Sequence, residues 1–146
     1  MVFFIYILNC IINTIIFFTD TKPLESGLCV SGQSIRAATR RISKLDDSHC
    51  QVIVNIGSVD ILQGRALIQI EHDFRQLIQT MHKKGITPVV TTLAPLANYY
   101  HDKQIKGKVE KFNKFIKKEC MYLNVIDIYS RMVNSRDSVL FDCYQA

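Results

Sequence analysis

Tryptophan is absent from this sequence, and turn-forming residues are scarce, with 3 Pro and 6 Gly among 146 residues. This composition excludes a collagen-like chain, and no internal repeat indicates a solenoid. The 5 cysteines are an odd number and show no Cys-x-x-Cys spacing. We therefore expect reduced thiols in a cytoplasmic protein, because small secreted domains usually carry a framework of disulfides.

The sequence also lacks the fingerprints of common cofactor sites. It contains neither Gly-x-x-x-x-Gly-Lys-Ser/Thr nor Gly-x-Gly-x-x-Gly, so nothing indicates a bound nucleotide. His72 and His82 lie too far apart for the i, i+4 spacing of a helical zinc pair, and His49 and His101 are isolated. We expect surface or packing roles for these histidines, and neither a metal nor another cofactor.

The remaining composition is that of an ordinary globular domain. Apolar residues make up 48% of the chain and charged residues 21%, with a formal net charge of +5. These values favour one basic domain over a disordered tail or a coiled coil. A positive balance of this size is compatible with an anionic partner without requiring one.

Apolar residues are concentrated at the start of the chain. Residues 1–18 contain no charge, and only Asn9, Asn13 and Thr14 are polar. The segment is short for a membrane helix, and it has neither the basic start nor the small-residue cleavage site of a signal peptide. We treat residues 1–19 as an apolar leader, either a buried strand or a replacement of the native N-terminus, and we expect no membrane span.

Residues 20–146 alternate between strand and helix patterns. β-branched runs bounded by Gly or Pro predict strands, and apolar residues at spacings of three and four predict helices, the first capped by Ser31 or Ser34. The predicted strands are 28–30, 51–56, 86–93 and 125–128, and the predicted helices are 35–45, 66–84 and 103–118. Such alternation is typical of a three-layer α/β/α sandwich with a parallel sheet.

One motif lies where such sheets bind ligands, beyond the carboxyl end of a strand. Gly57-Ser-Val-Asp60 follows the 51–56 strand and resembles the Gly-x-Asn-Asp block of SGNH hydrolases. In that family the asparagine donates a hydrogen bond to the oxyanion, and here the position is Val59, which has no donor. Loss of one such donor typically lowers kcat by about 10²–10³.

The other hydrolase blocks match less well. Thr19-Asp-Thr21 stands where Gly-Asp-Ser would supply the nucleophile, and Gly32 is a candidate for the glycine of the second block. Asp142 fits the last block, Asp-x-x-His, but Gln145 occupies the position of the base. Because glutamine cannot accept a proton near neutral pH, general-base catalysis through that position is excluded.

Longer segments resemble the OSK domain of insect maternal-effect proteins. They are Leu28-Cys-Val-Ser-Gly32, Ile53-Val-Asn-Ile-Gly-Ser-Val-Asp-Ile-Leu-Gln-Gly-Arg65, residues 85–98 and Leu140-Phe-Asp-Cys-Tyr-Gln145. The resemblance implies an SGNH-like fold without hydrolase residues, hence a non-enzymatic domain. It also implies binding of RNA, most simply a single-stranded mRNA, and a scaffold role among germ-plasm proteins. The family continues into a further basic segment and helix, so we expect a C-terminally truncated domain.

Two basic helices are candidates for the RNA contacts. Lys103, Lys106, Lys114 and Lys117 can share one face of the predicted 103–118 helix, whereas Arg36, Arg40, Arg41 and Lys44 cluster on the 35–45 helix. From the residues alone, the simpler interpretation is that these basic helix faces are only solvated. The family resemblance instead favours phosphate binding. Tyr99 and Tyr100 could stack on bases or pack on the domain. An esterase with displaced catalytic residues and a pure protein-interaction module remain the alternative functions.

Overall fold

A computed structural model describes residues 14–18, 32–45, 51–96 and 102–133. The elements in chain order are β1 (Thr14–Phe18), α1 (Ile35–Ile42), β2 (Gln51–Asn55), α2 (Ser58–Leu62), α3 (Leu67–Lys83), β3 (Thr87–Thr91), α4 (Lys103–Glu119), β4 (Asn124–Ile126) and α5 (Ile128–Met132). The predicted strand at 28–30 and Tyr99-Tyr100 lie outside the described residues.

The helices α1 and α4 begin at polar capping residues, and α3 follows the apolar periodicity that the sequence predicts. The Ser34 hydroxyl accepts a hydrogen bond from the backbone N–H of Ala37, which identifies Ser34 as the cap of α1. The Asp102 carboxylate accepts bonds from the N–H groups of Gln104 and Ile105 and caps α4. At the end of α3, Gly85 adopts φ +73°, which lets the chain turn into β3.

The sheet has the strand order β1-β2-β3-β4. β2 pairs with β3 and β3 pairs with β4, both in parallel, which confirms the predicted parallel core. β1 is antiparallel to β2, with Thr14 opposite Asn55. This strand shows that the end of the apolar leader pairs with the sheet. Its antiparallel direction departs from the prediction, because apolar and β-branched character favours a strand but does not specify its direction.

The helices α1, α3 and α4 share one hydrophobic core with the sheet. Ile35 of α1, Phe74 of α3 and Phe112 of α4 are buried together with Val54 and Val90 of the central strands. α3 and α4 lie on the same face of the sheet, where the Phe74 and Phe112 rings pack edge to face at 5.6 Å, and ion pairs join α3 to α1 on one side and to the end of α4 on the other. α3 is therefore the middle helix of this layer. In the part of the chain that the structure describes, no helix is both long and apolar enough to cross a membrane.

Candidate functional site

Gly57, the first residue of the hydrolase-like block, is required by the backbone and by packing. It adopts φ +122° at the start of α2, a conformation that side chains with a Cβ rarely accept. A Cβ at this position would lie 2.6 Å from Cε1 of the buried Phe112 ring. The glycine therefore allows α2 to leave the end of β2 directly beneath α4.

Asp60, the last residue of the block, is also used by the fold. Its side chain is fully buried, and its Oδ2 accepts a hydrogen bond of 3.0 Å from the backbone N–H of Ile35, the first residue of α1. Its Oδ1 forms an ion pair with Arg65. Since a carboxylate is stabilised at a helix N-terminus, Asp60 fixes the start of α1 against α2.

Val59 lies between these two structural positions. It is partly buried, and its side chain offers no hydrogen-bond donor. The Asp60–Ile35 bond joins the start of α1, three residues after Gly32, to this block. Gly32 itself adopts φ +74° and is exposed. Thr19-Asp-Thr21, Asp142 and Gln145 lie outside the described residues, so their placement stays a prediction.

A charged network extends from Asp60 to the surface of α1. Arg65 also donates through Nη2 to Oδ2 of Asp73 at 2.5 Å, and Arg36 donates to the same oxygen at 2.8 Å. The bond to Asp73 raises the pKa of Arg65, although burial acts in the opposite direction and the bond to Asp60 adds to the rise. The network ties α1 to α3, and it neutralises much of the Arg36 charge.

The remaining basic residues of α1 differ in their availability. Arg40 is exposed one helical turn after Arg36, and Lys44 is exposed in the turn that follows the end of α1 at Ile42. Arg41 is partly buried. Arg40 and Lys44 are therefore the cations of this segment that are most open to an external anion.

The lysines of α4 fall into two groups. Lys106 lies 4.0 Å from Glu110, Lys117 pairs with Asp127, and Lys108 donates to the carbonyl oxygens of Gly64 and Arg65. The second group lies on the outer side of the helix, and its members form no ion pair with a described residue: Lys103, Lys111, Lys114 and Lys118. Of the four α4 lysines predicted to bind RNA, Lys103 and Lys114 thus belong to the open group, and Lys106 and Lys117 do not.

The sequence analysis did not place Lys111 and Lys118 among the RNA-binding residues, although a signal was present. The buried stripe of α4 is centred on Val109, Phe112 and Ile116. At 100° per residue, position 107 lies close to the direction opposite this stripe, and Lys118 and Lys111 lie about 20° and 40° from position 107 around the helix. A full helical projection would have placed both residues on the outer face.

A second polar cluster lies at the carboxyl ends of β3 and β4. Asp127 caps α5 and accepts hydrogen bonds from the Thr92 hydroxyl at 3.1 Å and the Ser130 hydroxyl at 2.6 Å. Partial burial acts to raise the pKa of Asp127, but the bonds from Lys117, Ser130 and Thr92 outweigh it and hold this pKa at about 2. The cluster contains a carboxylate and hydroxyl groups of the kind found in catalytic sites. Its hydrogen bonds and its ion pair, however, connect α4, α5 and the end of β3.

The described residues show no metal centre, and the cavity between α3 and α4 is small. No group of three or more metal-ligating side chains comes together there. A cavity of about 70 Å³ lies between α3 and the end of α4, lined by Phe74, Ile78, His82 and Tyr122. It is well below the several hundred Å³ of a typical small-molecule site.

Comparison with known proteins agrees with this architecture. The OSK domain family model matches residues 3–146. The chain is 54% identical over 126 residues to the maternal effect protein oskar of Drosophila melanogaster and 55% identical over 125 residues to that of Drosophila virilis. These matches cover 86% and 85% of this chain and 21% of each relative, so the chain spans about a fifth of the length of these proteins.

Two solved structures define the fold further. The OSK domain of Drosophila Oskar matches at a TM-score of 0.76 and 54% identity, over 84% of this chain and 59% of that one. A GDSL-like lipase from Bacteroides thetaiotaomicron matches at a TM-score of 0.63 and 16% identity, over 75% of this chain and 59% of the lipase. At that identity the lipase shows the hydrolase-like fold alone. The protein belongs to the OSK domain family.

Proposed function

We propose that this OSK domain is a non-enzymatic module that binds single-stranded RNA through the cationic faces of α1 and α4. The observation that carries the proposal is the division of the α4 lysines. The carboxylates near this helix engage Lys106 and Lys117, and the lysines that face outward remain without an ion pair among the described residues. The net positive charge therefore faces solvent, where phosphate groups can neutralise it.

The absence of catalysis is supported by the roles of the hydrolase-like residues. Gly57 and Asp60 have structural roles in this fold, and the side chain of Val59 lacks the amide that donates to the oxyanion in the hydrolases it resembles. The predicted base position carries Gln145, which cannot accept a proton near neutral pH. These features support a structural and not a catalytic role for the block.

Membership in the OSK family supports a wider role as a germ-plasm scaffold in the cytoplasm. In that role the domain would hold mRNA on its cationic faces while other surfaces engage germ-plasm proteins. Contacts dominated by phosphates confer little sequence preference, so selection of particular mRNAs would depend on base contacts or on protein partners.

The RNA-binding proposal is tested by measuring retention of a single-stranded RNA over a series of salt concentrations. Each phosphate contact contributes about 0.7 to the slope of log K against log salt. The double variant Lys111→Gln/Lys114→Gln should therefore lower the slope by about 1.4. The matched control is Lys106→Gln/Lys117→Gln, which removes the same charge from the same helix at lysines that already pair with carboxylates.

We expect the control to change the slope by less than half as much. A single Arg40→Ala substitution should weaken binding more than any single lysine substitution, because a guanidinium can contact phosphate in a bidentate way. Absence of RNA retention at low salt by a sample with a folded circular dichroism spectrum would contradict the proposal. Equal slopes for the wild type and the Lys111→Gln/Lys114→Gln variant would contradict it as well.

The non-enzymatic part has a separate test. Hydrolysis of p-nitrophenyl acetate should not exceed the buffer rate. Ser58 is the serine of the hydrolase-like block, and it is buried at the start of α2. Turnover well above buffer that is lost in Ser58→Ala would instead support an esterase with displaced catalytic residues.

A further inference from the structure

Gly107 interrupts the outward lysine face of α4. It lies one helical turn after Lys103 and one turn before Lys111, and residues four apart are neighbours on a helix surface. Lys114 lies on the same outer side, seven residues after Gly107. Gly107, which is partly exposed, therefore leaves a gap in the side chains of the cluster of lysines that form no ion pair with a described residue.

Nothing in the described fold requires glycine at this position. Gly107 is not among the glycines with a positive φ, which are Gly32, Gly57, Gly64 and Gly85. A Cβ built on Gly107 would meet no atom within 4 Å. Because glycine is one of the least favourable residues in a helix interior, the stability of α4 would improve with almost any ordinary side chain here.

We propose that Gly107 is the point at which the sugar–phosphate backbone of a bound RNA crosses α4. The inference rests on the proposed RNA-binding function and adds a specific contact to it. Without a side chain at 107, a phosphate can approach the helix surface closely. Lys103 and Lys111, about 12 Å apart along the axis, can then reach it or its neighbours from both sides.

The acidic residue nearest to this position is held away from the crossing point. Glu110 accepts a hydrogen bond of 3.1 Å from the Tyr129 hydroxyl and lies 4.0 Å from Lys106. Its charge is thus directed toward α5 and is partly neutralised. Mid-helix N–H groups are already bonded within the helix, so Gly107 contributes space for the phosphate and no additional donor.

Two substitutions at Gly107 distinguish the effect of lost space on RNA binding from the effect of added charge. Gly107→Ala should raise Tm by about 2–4 °C, because it improves helix propensity. The same variant should weaken RNA binding at least threefold and make its salt dependence shallower. Gly107→Lys adds a positive charge, which would strengthen binding if charge alone mattered, and we expect it to bind more weakly than the wild type.

The control is Asn124→Ala, an exposed position at the start of β4 and outside the helix layer that the RNA would cross, which should leave RNA affinity unchanged. If Gly107→Ala binds RNA as tightly as the wild type, or if Gly107→Lys binds more tightly, this inference is wrong while RNA binding itself stands. If the wild-type protein does not retain RNA, the proposed function fails. The Tm measurement shows in each case that the variants are folded.

Discussion

Gly57 illustrates, at the scale of a single residue, how a position of the hydrolase-like block can be required by backbone conformation and packing alone. We expect Gly57→Ala to destabilise the domain by about 2–4 kcal/mol, because it adds both a strained φ and an overlap with the Phe112 ring. The free energy of unfolding from urea titration measures this change. Gly64→Ala is the matched control, since Gly64 also has a positive φ but open space around it, and it should cost about 1 kcal/mol. Equal losses would contradict the packing argument.

Arg65 is the residue on which the buried charges depend. Its side chain is 17% exposed and separates the carboxylates of Asp60 and Asp73, which are 0% and 3% exposed. Arg65→Met should cost about 3–5 kcal/mol in unfolding free energy, because it leaves both buried carboxylates without this partner. Arg75→Met breaks an exposed pair with Glu119 and a contact over the Phe115 ring, and should cost only about 1 kcal/mol. Similar losses for the two variants would show that Arg65 does not neutralise these carboxylates.

At the scale of secondary-structure elements, Asp127 couples α4, β3 and α5 in a pH-dependent way. Its pKa of about 2 in the folded protein is below the ordinary value near 4. A carboxyl whose pKa is lowered on folding stabilises the protein above its unfolded pKa. This contribution declines as the pH falls from about 5 to about 2, because over this range the carboxyl binds a proton in the unfolded state before it does so in the folded state.

The Asp127→Asn variant isolates this contribution. It should be less stable than the wild type at pH 6, and the difference should shrink as the pH falls toward 2. The midpoint of urea unfolding, measured between pH 2.5 and pH 6 for both proteins, shows this convergence. A stability difference that stays constant over that range would mean that the charge of Asp127 contributes nothing.

The main elements could be predicted because each carries a long periodic signal. The stripe of Ile70, Phe74, Leu77 and Met81 specifies α3, and the continuous β-branched run at 51–56 specifies β2. The helices α2 and α5 have only five residues each, too short for a period to show, and they were not predicted. Both are specified by contacts with distant parts of the chain, such as the bond from Thr92 to Asp127.

The candidate site could be predicted only in part for a related reason. Helical spacing places Arg40 and Lys44 on one face, because the relation is local. The pairs Arg65–Asp73 and Lys117–Asp127 depend on how the elements pack. Spacing along the sequence therefore could not show which lysines and arginines are already neutralised.

At the scale of the whole molecule, the cationic faces lie on the two outer helices of one layer. α3 separates α1 from α4, and its exposed positions include the uncharged Gln69, Gln76 and Gln79. With neighbouring helix axes 8–10 Å apart, the two faces are separated by about 16–20 Å. A bound RNA must therefore cross α3 to contact both cationic faces.

This separation predicts that the affinity for RNA increases sharply once the RNA is long enough to contact both cationic faces. A strand of about 4 nucleotides can occupy one face, whereas a strand of about 12 nucleotides can cross α3 and occupy both. The longer RNA should bind more tightly and with a steeper salt dependence, since it neutralises the cations of both helices at about 0.7 in slope per contact. In the Arg40→Ala/Lys44→Ala variant most of the gain between the two lengths should disappear, while binding of the short strand to α4 persists. Fluorescence anisotropy with oligonucleotides of graded length measures both quantities. If the wild type gives the same affinity and the same salt slope for both lengths, the two helices do not act as one surface, and RNA binding must be confined to one of them.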